Sequence, residues 1–407
     1  MMQYDVIVIG GGPGGLAAAY KVSLLGAEKV LLLEREQFLG GILPQCIHTG
    51  FGLMEFKQEL SGPEYAQIFI DLVKERHIDI KLDTMALYIN GKKEVICSNK
   101  REGIHKIEGK SIILALGCRE RTRGAIGIPG TRPAGVYTAG MVQRMINIEG
   151  YLPGKKAVIL GSGDIGLIMA RRLVLEGCKV EGVFEIMPFS TGLKRNIAQC
   201  LEDFDIPLYF NSTVTRIFGY KRVESVEVRT KDGEPRLIDC DTLLLSVGLI
   251  PENELSISCG IKIDESTGGP EVDQDFSTSV DGIFSCGNSL FVNDLADDVT
   301  QDAYAAARGS IDYLGGKKIK ADISIEKGRG INQILPQKIS AGKEVKLKMR
   351  VDKPYHRAAL SIRGTGFKKV KKYLSPGELV FTTIREKDFG KYGLSAKNSL
   401  ILDIDKK

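Results

Sequence analysis

The chain has 407 residues, 43% of them hydrophobic and only 7% aromatic, with no tryptophan and a formal net charge of +5. That length suffices for two α/β domains and a smaller module. No apolar run reaches the ~20 residues that a membrane helix needs, so insertion through a helix is not expected.

The first predicted elements are a strand, a glycine turn and a helix. YDVIVIG, residues 4–10, runs into Gly10-x-Gly12-x-x-Gly15, with Pro13 and Gly14 inside the motif. A helix of small residues follows as far as Gly26, and KVLLLER, residues 29–35, closes the unit on Glu34 and Arg35. In such a βαβ unit the first glycine permits the tight turn, the second admits a pyrophosphate to the backbone, and the third lets helix pack on strand. The helix N-terminus offers free N–H groups and a positive dipole end to the phosphates. Glu34 is placed to accept from the hydroxyls of a ribose.

The design returns at KKAVILGSGDIG, residues 155–166, which carries Gly161, Gly163 and Gly166 with Asp164 between them. A helix runs on to Glu176, and the strand CKVEGVFE, residues 178–185, ends on Glu185. One such motif is weak evidence of nucleotide binding, whereas two in matching context are strong. Two dinucleotide sites in one chain imply two redox cofactors, or a cofactor and a nicotinamide substrate.

Further along, NDLADDVT, residues 293–300, gathers Asp294, Asp297 and Asp298 ahead of a helix expected over 299–314. This run reads as a cap and as favourable helix-dipole charge rather than as a metal site. At Gly315-Gly316-Lys317 composition and pattern change together. Residues 317–407 hold 23 Lys and Arg against 9 Asp and Glu, whereas the first 316 residues hold 33 against 42. VKLKMRV (345–351), ELVFTTI (378–384) and SLILDI (399–404) read as strands of a basic C-terminal β module. Tyr355, Phe367 and Tyr373 among Lys368, Lys369, Lys371 and Lys372 raise nucleic-acid binding, but no recognised motif accompanies them. Docking on the acidic part of the chain, or on an acidic partner, is the simpler expectation, with solvated lysines of no specific role as the alternative.

The eight cysteines, at 46, 97, 118, 178, 200, 240, 259 and 286, show neither C-x-x-C nor C-x4-C spacing. That argues against a dithiol relay, a zinc site and an iron–sulfur cluster made by this chain alone, so no metal is expected. Unpaired cysteines, with a first strand that begins at once, point to the cytoplasm.

On these motifs and their order, residues 1 to about 316 resemble the flavoproteins with two dinucleotide-binding domains, which include the pyridine nucleotide-disulfide reductases and thioredoxin reductase. SIILALG (111–117) is similar to the strand on which that family leaves the FAD domain. Ile128-Pro129-Gly130 resembles the crossing into the nicotinamide domain, DTLLLSVGLIPEN (241–253) the return, and DGIFSCGN (281–288) the third FAD motif. The family normally has Gly-Asp there, and this chain has Gly287-Asn288, which brings a hydrogen-bonding amide but no charge.

The resemblance implies an α/β fold with two Rossmann-like FAD- and NAD(P)-binding domains of the three-layer ββα type, plus a small C-terminal β-rich module. The FAD domain would be discontinuous, 1–119 and 248–316, the NAD(P)H domain 120–247 and the basic module 317–407. FAD would be held by Gly10, Gly12, Pro13, Gly14, Gly15, Glu34, Arg35, Gly41, Gln45, Gly117, Gly287, Asn288, Thr300 and Gln301, the last two in the helix turn facing the flavin. NAD(H) would be held by Gly161, Gly163, Asp164, Gly166, Glu185 and Gly248. A carboxylate at 185 welcomes a free 2′-hydroxyl and repels a 2′-phosphate. Ile186, Met187 and Pro188 supply no arginine, so NADH is preferred, while Lys194 and Arg195 keep NADPH open.

GGILPQCIHTGFGL (40–53), RPAGVYTAGMVQ (132–143) and NDLADDVT resemble a narrower group. It comprises the NAD/FAD-binding subunits of opine oxidase and hydrogen cyanide synthase, the alpha subunit of heterotetrameric sarcosine oxidase, and the flavoproteins paired with glycerol-3-phosphate dehydrogenases. That implies an FAD-dependent oxidoreductase moving hydride between NAD(H) and flavin as the electron-transfer subunit of a larger dehydrogenase. Its partners would be a substrate-oxidising subunit, a small iron–sulfur protein, or both. Cys46 and His48 are the catalytic candidates. A thiolate at 46 would touch the flavin or act as a peroxidatic centre in an NADH peroxidase or oxidase, with His48 lowering its pKa. The alternative is that Gln45, Cys46 and His48 only shape the pocket. A non-catalytic scaffold or redox sensor that binds both nucleotides is the third reading.

Overall fold

The computed structural model describes residues 3–231, 233–317 and 321–406; residues 318–320, at the expected start of the C-terminal module, lie outside this set. Packing divides the chain into two compact units, one of residues 1–118, 251–374 and 379–407, the other of residues 119–250 and 375–378.

The first unit is built on a seven-stranded sheet. Asp79–Lys81, Val30–Leu33, Gln3–Ile9 and Gly103–Leu114 lie side by side and parallel, Glu94–Asn99 and Thr84–Ile89 extend the sheet antiparallel, and Ile283–Ser285 pairs parallel with Gly103–Leu114. In Gln3–Ile9, Val6 and Val8 are as buried as Ile7 and Ile9, because parallel strands are covered on both faces. Val6 and Val8 face the helices, where Ala17, Ala18 and Ala19 of Pro13–Leu24 share a core with Ala303, Ala306 and Ala307 of Ala296–Leu314. Small side chains let these two helices pack closely. Ile7 and Ile9 face the antiparallel strands through Ile89, Val95, Cys97 and Ile107. This is the three-layer ββα arrangement.

The second unit repeats the plan. Its parallel sheet runs Val136–Thr138, Thr242–Leu245, Lys156–Leu160, Lys179–Phe184, Leu208–Tyr209, with a separate antiparallel sheet of Ser212–Phe218, Ser225–Thr230 and Arg236–Asp239. Leu167, Ala170 and Leu173 of the helix Asp164–Leu175 fill one face, and Val214, Val226 and Val228 fill the other.

Beyond residue 320 the chain forms two further sheets around their own core. One holds Ile323–Lys327, Lys338–Ile339, Tyr355–Ile362, Lys368–Leu374 and Ser399–Lys406, the other Ile331–Leu335, Val345–Val351 and Val380–Ile384. The nucleic-acid reading loses its aromatic residues here. Tyr355 and Phe367 are buried in that core, and Tyr373 packs on His356. Lys368–Leu374 is an edge strand, where lysines discourage pairing with another chain.

The helix expected from residue 299 begins at Ala296, after an extended Leu295. Asp297 and Asp298 therefore sit inside its first turn, where acidic residues oppose the positive helix end favourably. Asp294 is not the cap of this helix, because its carboxylate is taken by Arg350 and by the N–H of Leu379. Among the described residues no helix is long and apolar enough to cross a membrane, and no three His, Cys, Asp or Glu side chains cluster as a metal site.

Candidate dinucleotide sites

In the first unit the glycine turn joins Gln3–Ile9 to Pro13–Leu24. Gly10 has φ +107°, and a Cβ there would lie 2.3 Å from the Ala115 oxygen, so only glycine makes this turn. Gly12 faces Gly41, whose Cβ would come within 2.9 Å of the Gly12 Cα; two bare backbones thus meet where the motif expects a diphosphate. Gly12 ends the extended approach, Pro13 opens the helix, and no acidic residue stands in its first turn. Glu34 is buried, with Oε2 accepting from Gly11 N at 2.6 Å and Oε1 from Glu36 N at 2.8 Å. Those bonds fix the carboxylate and leave lone pairs for a ribose diol. Arg35 is exposed beside it. This bare-backbone cradle with an oriented carboxylate fits the adenosine diphosphate half of FAD.

The segments expected around the flavin belong to the same unit. Gly117 and Gly287 both have positive φ. Ser289 Oγ accepts from Leu116 N at 3.2 Å, tying the third motif to the strand exit. Asn288 Oδ1 accepts from Asn293 N at 3.0 Å, and its amide nitrogen lies 3.7 Å from Cys118 Sγ. The helix Ala296–Leu314 makes its first internal bonds from Asp298 and Val299 N to Leu295 O. The N–H groups of Ala296 and Asp297 precede those bonds and form the positive end.

Thr300 and Gln301 lie one turn deeper than expected. Thr300 Oγ is 2.7 Å from the Tyr65 hydroxyl, and Gln301 donates to Glu55, which also accepts from Tyr304 at 2.6 Å. Their side chains therefore fasten the helix to the segment around Glu55. Because the helix starts earlier, the N–H groups at its free end are those of Ala296 and Asp297.

Gln45 and Cys46 are buried at the short helical turn Leu43–Gln45. Cys46 is packed against Gly62, where a Cβ would lie 2.7 Å from the Cys46 Cβ, and its Sγ lies 3.4 Å from Ile42 O. Burial pushes its thiol up to about 12. A packed thiol kept protonated by burial lacks the electropositive, accessible surroundings that activate a cysteine. His48 is half-buried with its ring 5.2 Å from that of Phe51.

In the second unit Gly161 has φ +92°, and a Cβ there would lie 2.1 Å from Ser246 O. Gly166 N donates to Ser246 Oγ at 3.1 Å, and Gly163 caps the helix Asp164–Leu175. Glu185 is buried; its Oε2 accepts from Ser162 N and Oγ at 2.9 and 2.6 Å and its Oε1 from Met187 N at 2.9 Å. Asp164 Oδ1 accepts from Leu193 N at 2.8 Å and Asn196 Nδ2 at 2.6 Å. Lys194 and Arg195 are exposed in the helix Lys194–Cys200, and Gly248 takes positive φ on the return strand. The donor set and oriented carboxylate fit a nicotinamide dinucleotide.

Sequence reading passed over Asn293, Asp302, Lys348 and Arg350. Lys348 is buried on Asp302, and no local pattern separates it from the exposed Lys346 two residues earlier.

The pyridine nucleotide-disulphide oxidoreductase family matches the chain over residues 4–309. The hydrogen cyanide synthase subunit HcnB of Pseudomonas protegens is 25% identical over 295 residues, 66% of this chain and 61% of that protein. An opine oxidase subunit of Agrobacterium tumefaciens is 25% identical over 314 residues, 70% of this chain and 61% of that protein. The chain thus spans about three-fifths of the length of these curated relatives. Thioredoxin reductase of T. acidophilum superimposes with a TM-score of 0.65 at 25% identity, over 78% of this chain and 99% of that one. The chain belongs to the pyridine nucleotide-disulphide oxidoreductase family, whose members are FAD-dependent enzymes that use NAD(P)H.

Proposed function

We propose that this protein is an NADH-linked flavoprotein that serves as the electron-transfer subunit of a larger dehydrogenase. Residues 1–119 and 248–316 form its FAD domain, 120–247 its NAD(H) domain and 317–407 a basic module. The observation that carries the reading is the pair of glycine turns, each with a buried carboxylate already aligned by backbone donors. Bound together, FAD and NAD(H) supply a hydride acceptor and donor.

The chain's own contribution is binding, orientation and charge. Gly12 and Gly41 admit a diphosphate; Glu34 and Glu185 orient riboses. The N–H groups of Ala296 and Asp297 offer hydrogen-bond donors at the helix end, whose dipole is offset by Asp297 and Asp298 in the same turn. Glu185 supports NADH over NADPH, because its buried carboxylate opposes a 2′-phosphate, while the exposed Lys194 and Arg195 keep NADPH as the lesser alternative. Cys46 and His48 shape the pocket, the reading supported by a packed, protonated thiol. The partner reading is supported by the two relatives whose names make them subunits. We take the partner to be a substrate-oxidising dehydrogenase subunit, with a small iron–sulfur protein as a second carrier. The eight cysteines, all present as thiols, support a reducing, cytoplasmic setting.

Anaerobic mixing of the FAD-loaded protein with NADH tests the core of this reading. Prompt bleaching of the visible flavin band, much slower with NADPH, is expected. Flavin that stays oxidised under both nucleotides would overturn it.

A further inference from the structure

The strand Val345–Val351 alternates apolar and basic residues, which by pattern alone sends Lys346, Lys348 and Arg350 to solvent. Only Lys346 goes there. Lys348 is 6% exposed, and its ammonium spends its three donors inside the protein, on both Asp302 oxygens and on Asn293 Oδ1, each at 2.7 Å. It also lies 5.6 Å from the centre of the Phe291 ring. Arg350 donates to Val292 O at 3.0 Å and pairs with Asp294, whose other oxygen accepts from Leu379 N at 2.7 Å. Leu335 and Leu379 pack on Phe291. The segment 291–302, which links the third FAD motif to the helix Ala296–Leu314, is therefore held from one side by the C-terminal module.

The contacts continue past that segment. Asn293 donates through its side chain to Phe291 O and Asp302 at 2.9 and 3.1 Å, and through its backbone N–H to Asn288 Oδ1. With its oxygen occupied, the Asn288 amide turns its nitrogen toward Cys118. A buried ion pair is a poor source of stability, since an apolar pair of similar size does as well or better. Its geometry is specific: Lys348 and Asp302 hold the Asn293 side chain, and the Asn293 N–H holds the Asn288 oxygen.

We propose that Lys348 is a positioning residue of the FAD site, acting through Asn293 on Asn288, so that the C-terminal module is a working part of that site. This rests on the reading that the first dinucleotide site takes FAD. An amide at 288 can be held by its oxygen and still present a donor, which an ionised carboxylate cannot.

The test uses the full chain and three variants: Asn293→Ala, Lys348→Met/Asp302→Leu, and Lys348→Arg. The first cuts the side-chain end of the link, to Lys348 and Asp302, and keeps both the ion pair and the backbone N–H that holds Asn288. The second replaces the pair with apolar groups and leaves no lone buried charge. Melting temperature of the FAD-free protein, FAD affinity by fluorescence quenching and the visible flavin spectrum are read on each. We expect the first two to melt within a few degrees of wild type, to bind FAD about tenfold more weakly, and to show a shifted flavin band. Lys348→Arg should recover most of the affinity. If Asn293→Ala and the double variant both bind FAD with wild-type affinity and spectrum, Lys348 is a structural anchor only and the proposal falls. Should the double variant fail to fold, Asn293→Ala decides alone. A wild-type chain that binds no FAD overturns the FAD reading and this proposal together, a result distinct from wild-type binding in both variants.

Discussion

The two glycine turns share a backbone and differ in the side chains placed around it. Gly10 and Gly161 have φ of +107° and +92°, and a Cβ at either would strike a carbonyl oxygen across the sheet, Ala115 or Ser246. Yet the first turn is almost bare. Glu34 is held by backbone N–H groups, glycine faces glycine at 12 and 41, and the helix opens on Pro13 with no acidic residue in its first turn. The second turn is furnished. Ser162 puts a hydroxyl on Glu185, Ser246 a hydroxyl under Gly166 N, and Asp164 a carboxylate at the helix start. On the function proposed above, the bare turn would hold the permanent cofactor, and the furnished turn, with Asp164 at its helix start, the nucleotide that leaves after each turnover.

The largest way to break this comparison is to fill the third glycine of each motif. At Gly15 a Cβ would sit 1.6 Å from Gly10 O, which is backbone, whereas at Gly166 it meets the Ser246 side chain at 2.5 Å. Gly15→Val should abolish flavin retention and cost about 3 kcal/mol or more. Gly166→Val should keep the flavin and lose bleaching by NADH. The flavin-to-protein absorbance ratio and anaerobic bleaching read both; equal flavin loss in the two variants would refute the division of labour.

Next in size is Glu185→Ser, which removes the buried carboxylate. The preference for NADH over NADPH should drop by about 100-fold, the scale of ~3 kcal/mol of like-charge repulsion. Glu34→Gln should leave that ratio untouched. Asp164→Asn sharpens the comparison at smaller scale. It keeps the Oδ1 acceptor for Leu193 and Asn196 while removing charge from the helix end, so NADH should bind about three- to fivefold tighter. Unchanged affinity would mean that the carboxylate serves only the loop. The smallest effect is expected at Cys46→Ser, less than about twofold on anaerobic reduction, because a thiol pushed up to about 12 is not an operating nucleophile. Loss of peroxide-driven NADH consumption in that variant would favour the peroxidatic reading instead.

Features written by short-range rules were legible in the sequence. The positive φ that only glycine tolerates and the apolar run of a strand covered on both faces leave marks at fixed spacing, which is why the α/β architecture could be read from two motifs. The start of the helix Ala296–Leu314 was misread because Asp297 and Asp298 are equally at home as caps or inside a first turn. What decides is Leu295, extended at φ −125°, and Asp297 accepting from Met54 N, a partner 243 residues away. Tyr355 and Phe367 looked like stacking residues beside lysines, and they are core because the sheets around them close.

Lys348 marks the boundary most sharply. Period-two alternation determines only which face of the strand Val345–Val351 each residue occupies, and it assigns Lys346, Lys348 and Arg350 to one face. Whether that face meets water or protein depends on what packs against it, and Asp302, Asn293 and Phe291 come from a distant stretch of chain. By itself the sequence determined the two glycine turns and the strand–turn–helix units they open, because backbone sterics act locally. Only the tertiary structure decided which charges are buried and paired, because desolvation depends on neighbours that no local spacing encodes.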